Sequence, residues 1–174
     1  MITGILVPGR GYTTQGPLFD LADGILTARG DDVVEVSWTV PDGLLQVGPE
    51  PFVRAHVAAA LHRAAAGTPV LIAKSLGSHA AALAAERGIP AVWLTPVLTD
   101  PAVVAAIAAG PAPALLIGGT ADRVWLPEAA RATGKPCLEI PGADHNLRVP
   151  GPVRAYTDVL GTVGTAIEDF LETL

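Results

Sequence analysis

Six short apolar runs recur along the chain, at residues 2–7, 33–38, 70–73, 91–94, 114–117 and 137–140. Most are continuous rather than alternating, which is the pattern of strands covered on both faces. Helix-length segments separate them. The first covers residues 17–28. The second begins near Pro51, sets Val53, Val57, Leu61 and Ala64 on one face with Arg54, His62 and Arg63 elsewhere, and is punctuated by Gly67. A third covers 75–87 and is stopped by Gly88 and Pro90, a fourth runs from Asp100-Pro101 to Gly110, and a short one covers 127–133. The last, 152–174, places Val153, Tyr156, Leu160, Val163, Ile167, Phe170 and Leu174 at helical steps, and Gly161 and Gly164 are expected to bend or split it. Regular strand–helix alternation predicts right-handed crossovers and a parallel sheet. The expected class is α/β, a three-layer sandwich of about six strands with helices on both faces.

Composition changes this picture little. A chain of 174 residues is most simply one domain, long enough to bury well over half of its unfolded surface. Hydrophobic residues make up 50% and charged ones 16%, and the mean hydropathy is high at +0.44. Buried parallel strands account for that without a membrane span. The longest apolar stretch, 102–119, is broken by Gly110, Pro111 and Pro113 and reads as a helix followed by a strand. Met1 leads almost directly into Ile5-Leu6-Val7 with no basic region, so no export signal is expected. Together with a lone cysteine, Cys137, this predicts a cytoplasmic protein without structural disulfides. Cys137 falls inside a strand and is expected to be an inert buried thiol. A net charge of −6 argues against nucleic acid or an anionic membrane as partner. Monomer and homodimer both stay open.

In an open α/β sheet, ligands bind beyond the carboxyl ends of the strands, so candidate chemistry is sought just after each run. The stretch after the third run is the most informative. Ala73-Lys74-Ser75-Leu76-Gly77 follows a strand and opens a helix, the setting of a nucleophile elbow, with small residues two before and two after the serine. A serine that N-caps a buried helix is the plain alternative. Gly9-Arg10-Gly11-Tyr12 follows the first run, Trp38 ends the second, Asp122 and Trp125 follow the fifth, and Asp144-His145 follows the sixth. A serine hydroxyl attacks poorly until a histidine takes its proton, and the histidine needs a carboxylate to orient it. His145 is preferred to His56, His62 and His79, because it alone follows a strand. Asp122 is preferred to Asp144 as the acid, since a residue adjacent to the histidine is badly placed to orient its ring. Asp144 is expected to pin its loop by local hydrogen bonds. Lys74 is expected to face solvent at the turn. Tyr12, Trp38 and Trp125 either wall a substrate site or pack on the core.

The motifs Ala73-Lys74-Ser75-Leu76-Gly77, Gly119-Thr120-Ala121-Asp122 and Pro141-Gly142-Ala143-Asp144-His145, in that order, resemble those of the α/β-hydrolase superfamily. The resemblance covers nearly the whole chain. It departs from the commoner pattern in having Ala73 where Gly is usual, in lacking a cap insertion, and in lacking counterparts of the two leading antiparallel strands. It implies a minimal, cap-less core with an open site. It further implies that Ser75 is the nucleophile, His145 the base and Asp122 the acid, with the Leu76 and Arg10 N–H groups as oxyanion hole. Gly9 and Gly11 would let that loop approach a small ester, thioester or lactone. A non-catalytic hydrolase-like domain that binds a small molecule or a protein is the alternative. No cofactor or metal is expected. Gly9-Arg10-Gly11 lacks the further glycine of a dinucleotide fingerprint, with Thr14 in its place, and no Cys/His cluster has metal-ligand spacing.

Overall fold

The structure is a computed structural model that describes residues 1–64 and 67–174. Six strands form one all-parallel sheet in the order β2-β1-β3-β4-β5-β6. They are β1 (Ile2–Val7), β2 (Asp32–Glu35), β3 (Thr68–Lys74), β4 (Ala91–Leu94), β5 (Ala114–Gly119) and β6 (Cys137–Ile140). Among the described residues the α-helices are α1 (Pro17–Arg29), α2 (Leu44–Val47), α3 (Glu50–Arg63), α4 (Ala81–Arg87), α5 (Pro101–Ala109), α6 (Pro127–Ala132) and α7 (Val153–Glu172). Residues 65 and 66, just before the Gly67 expected to punctuate α3, lie outside the described residues.

Successive side chains of a strand point to opposite faces, and here each face meets its own helical layer. Leu71 and Ala73 of β3, with Ile5, Val7, Trp93 and Leu116, pack beneath α3, α4, α5 and α6. Val70 and Ile72, with Leu6, Val92, Leu94 and Ile117, pack beneath α1 and α7. Burial on both faces is why the central strands read as unbroken apolar runs. The result is a three-layer α/β sandwich.

Several local expectations are corrected. β2 stops at Glu35, although one more bond, from the Val36 N–H to the Leu6 carbonyl, prolongs the pairing. Trp38 leaves the sheet instead and packs on Phe52 and His56. The short helix α2 follows from no apolar repeat. The first turns after β3 form a 3-10 helix, Ser75–Ala80, before α4 begins. α7 is not split by its glycines into separate helices, running unbroken for 20 residues. Gly164 is buried where the helix lies beside Leu21 of α1, and a Cβ there would make ordinary contact at 3.8 Å. The apolar repeat overreaches at both ends of α7, because Val153 is 78% and Leu174 44% exposed. Cys137 begins the edge strand β6 and is exposed there, so it is not the buried thiol expected.

Candidate active site

The chain leaves β3 at Lys74 and turns at once into the 3-10 helix. Ser75 sits at this apex with φ of 51°, a left-handed conformation that costs a residue with a Cβ about 1–2 kcal/mol. The turn is tight because the helix passes close beneath the end of β1. A Cβ on Gly77 would lie 2.8 Å from the Val7 carbonyl oxygen and 3.0 Å from that of Pro8, so only glycine fits. The Ser78 hydroxyl donates to the Ser75 carbonyl at 2.7 Å and accepts the Val97 N–H at 3.1 Å. The apex is thereby tied to the loop after β4.

The acid and histidine loops press directly on each other. A Cβ on Gly119 would collide with the Ala143 carbonyl, which accepts the Ala121 N–H at 3.0 Å. Asp144 shapes the second loop through its Oδ1, which accepts the N–H of Asn146 at 2.8 Å and of Arg148 at 3.0 Å. These restraints bring three side chains into a line. His145 Nδ1 lies 2.7 Å from Asp122 Oδ2, and His145 Nε2 lies 2.8 Å from Ser75 Oγ. An ionised carboxylate only accepts, so Nδ1 carries the hydrogen and Nε2 presents its lone pair to the hydroxyl. The other Asp122 oxygen accepts the Val124 N–H at 3.0 Å. The Asp122 side chain is 2% exposed and that of His145 39%, so the acid is shielded while the ring opens outward. This arrangement can move a proton from the serine hydroxyl to the imidazole.

A cavity of about 330 Å³ opens over Ser75, lined by Gly9, Arg10, Gly11, Tyr12, Lys74, Ser75, His145 and Asn146. None of these is aliphatic. Its rim loop is held by the Gly9 N–H on the Tyr12 carbonyl at 2.9 Å and by the Trp38 indole N–H on the Gly9 carbonyl at 3.1 Å. Trp38 therefore braces the loop from behind. Among the described residues the Arg10 N–H has no protein acceptor, and Leu76 lies at the start of the 3-10 helix, where N–H groups lack partners within the helix.

Other candidates are placed elsewhere. Trp125 does not wall the cavity: it is 4% exposed, packs over Gly118 and donates its indole N–H to Glu139 at 2.7 Å. Lys74, expected in solvent, is fully buried, because its aliphatic stem follows the end of a covered strand. His79 is buried 3.7 Å from Asp100, and burial pulls its pKa down. His56 bonds the Phe52 carbonyl at 2.8 Å, and His62 is exposed on α3. Asn146 and Thr95 were not among the candidates. Asn146 adjoins His145 on the cavity wall, and Thr95 follows β4 directly, so the strand-end rule applies to it as well. Among the described residues no group of three or more His, Cys, Asp or Glu side chains is arranged to hold a metal ion.

No protein-family model and no curated protein sequence matches the chain. Solved structures do match. Est1E from Butyrivibrio proteoclasticus superimposes with a TM-score of 0.76 at 15% identity, over 98% of this chain and 87% of that one. An α/β serine hydrolase homologue from Coxiella burnetii gives a TM-score of 0.70 at 16% identity, over 97% and 84%. An α/β serine hydrolase without lid from Xanthomonas campestris gives 0.60 at 18% identity, over 97% and 82%. The chain has the α/β-hydrolase fold.

Proposed function

We propose that this chain, on its α/β-hydrolase fold, is a serine hydrolase that cleaves a small ester, thioester or lactone through an acyl-enzyme. The hydrogen-bonded line Asp122–His145–Ser75 carries the reading. His145 Nε2 takes the Ser75 proton as Oγ bonds to the substrate carbonyl carbon, whose π pair moves to oxygen. The Arg10 and Leu76 N–H groups receive that oxyanion. Collapse breaks the bond to the leaving group, which takes the proton back from His145. Water, deprotonated by the same ring, then releases the acid and restores Ser75. Asp122 stays ionised throughout and stabilises the imidazolium.

A cavity of about 330 Å³ favours short acyl groups over fatty ones, and the Xanthomonas neighbour, a serine hydrolase without lid, agrees with hydrolysis at an open site. Among the described residues no helix is long and apolar enough to cross a membrane. The test is hydrolysis of aryl esters of increasing acyl length. Activity on the shortest that disappears in Ser75→Ala is expected; equal turnover by that variant overturns the reading.

A further inference from the structure

One cation beneath this site takes no part in the proton relay. Lys74, the last residue of β3 and the neighbour of Ser75, is fully buried. Its Nζ donates to the His145 carbonyl at 2.8 Å and to Thr95 Oγ1 at 3.1 Å, and lies 4.7 Å from the centroid of the Tyr12 ring. Those partners belong to the loops after β6, β4 and β1. Thr95 is itself buried with φ of 43°, and its N–H donates to the Ile117 carbonyl at 2.7 Å. One side chain thus joins the ends of four strands.

Filling this space does not require a charge. A buried ammonium is costly, and an apolar side chain of similar length would pack as well. What the ammonium adds is directional. Hydrogen bonds from a charged donor are roughly twice as strong as neutral ones, and a ring face attracts a cation. Both act on the loops that carry His145 and the cavity rim.

We propose, resting on the assignment of Ser75 as nucleophile, that protonated Lys74 is a positioning residue that clamps the His145 backbone and the Tyr12 ring and so holds Nε2 in line with Ser75. The clamp weakens when Lys74 loses its proton. Burial brings its pKa down to about 8, opposed by the carboxylates of Asp122 after β5 and Asp144 after β6. Tyr12, facing it from the loop after β1, is pushed up by burial and stays neutral through that range, with Arg148 acting on it in the opposite sense. The β4 side contributes Thr95, which does not titrate.

The experiment measures kcat and KM for a short-chain aryl ester against pH in the wild type, Lys74→Met and Thr95→Val, with fluorophosphonate labelling of Ser75 in parallel. The wild-type kcat should fall on the alkaline side with a midpoint at about pH 8. Lys74→Met should be down roughly ten- to a hundredfold at neutral pH with KM little changed. Its profile should lack that fall, so the two proteins converge in alkali. Thr95→Val, which removes one acceptor from the ammonium, should move the fall to lower pH. A wild-type profile flat through this range, or the same fall in Lys74→Met, overturns the proposal. If Lys74→Met does not fold, the wild-type and Thr95→Val profiles decide alone. Failure of the wild type to label would instead defeat the nucleophile assignment.

Discussion

Asp122 Oδ2 lies 2.7 Å from His145 Nδ1, while Asp144, next to His145 in the chain, turns its carboxylate back onto its own loop. The two acids therefore separate by what they touch, and nearness in sequence misleads. Asp122 bonds the ring, and Asp144 bonds the turn that carries it.

This separation predicts unequal variants. Asp122→Asn leaves an amide that donates where Nδ1–H needs an acceptor, and should lower kcat by roughly 10³- to 10⁴-fold. Asp144→Asn keeps an acceptor for the Asn146 and Arg148 N–H groups and should lose about tenfold or less. Steady-state kinetics on a short aryl ester check both, and equal losses would reverse the assignment of the acid.

The strained apex predicts a trade between stability and activity. Ser75→Ala removes the hydroxyl and keeps the Cβ at φ of 51°, whereas Ser75→Gly removes both. The glycine variant should be more stable than the alanine one by about 1 kcal/mol, since glycine adopts this conformation without penalty. Urea unfolding of the two inactive proteins measures the difference. Equal midpoints at equal m-values would show that the backbone carries no strain there.

Lys74 predicts a pH dependence of stability with a definite sign. Its folded pKa, about 8, lies below the unfolded 10.5, so between these values the unfolded chain binds more protons. The cost of burying the charge is fully present below pH 8 and fades as the pH rises to 10.5. The stability of the wild type relative to Lys74→Met should therefore rise by up to about 3 kcal/mol across that window. Paired denaturant titrations at both ends check it, and a pH-independent difference would contradict a Lys74 whose pKa is lowered by burial in the folded protein.

Much of this architecture is legible in the residues, for identifiable reasons. β1, β3, β4 and β5 are covered on both faces, so their runs are continuous and hard to mistake. The strand-end rule reaches Ser75, Asp122 and His145 because chain order and rigid strands do place them at one edge. It fails where a side chain travels. Trp125 follows β5 as the rule asks, yet folds back over Gly118. Lys74 carries the most solvent-seeking head group in the stretch, and local pattern cannot show that a carbonyl, a hydroxyl and a ring converge on it from three distant loops. Val153 and Leu174 fit the helical repeat, but Val153 is the first residue of α7 and Leu174 lies past its last, and both are exposed.

Peptide mapping after treatment with a fluorophosphonate tests the central assignment most directly. A single adduct on Ser75, absent from Ser75→Ala and strongly slowed in His145→Ala, is the expected result. An adduct on another residue, or no adduct on the folded wild-type protein, would contradict it.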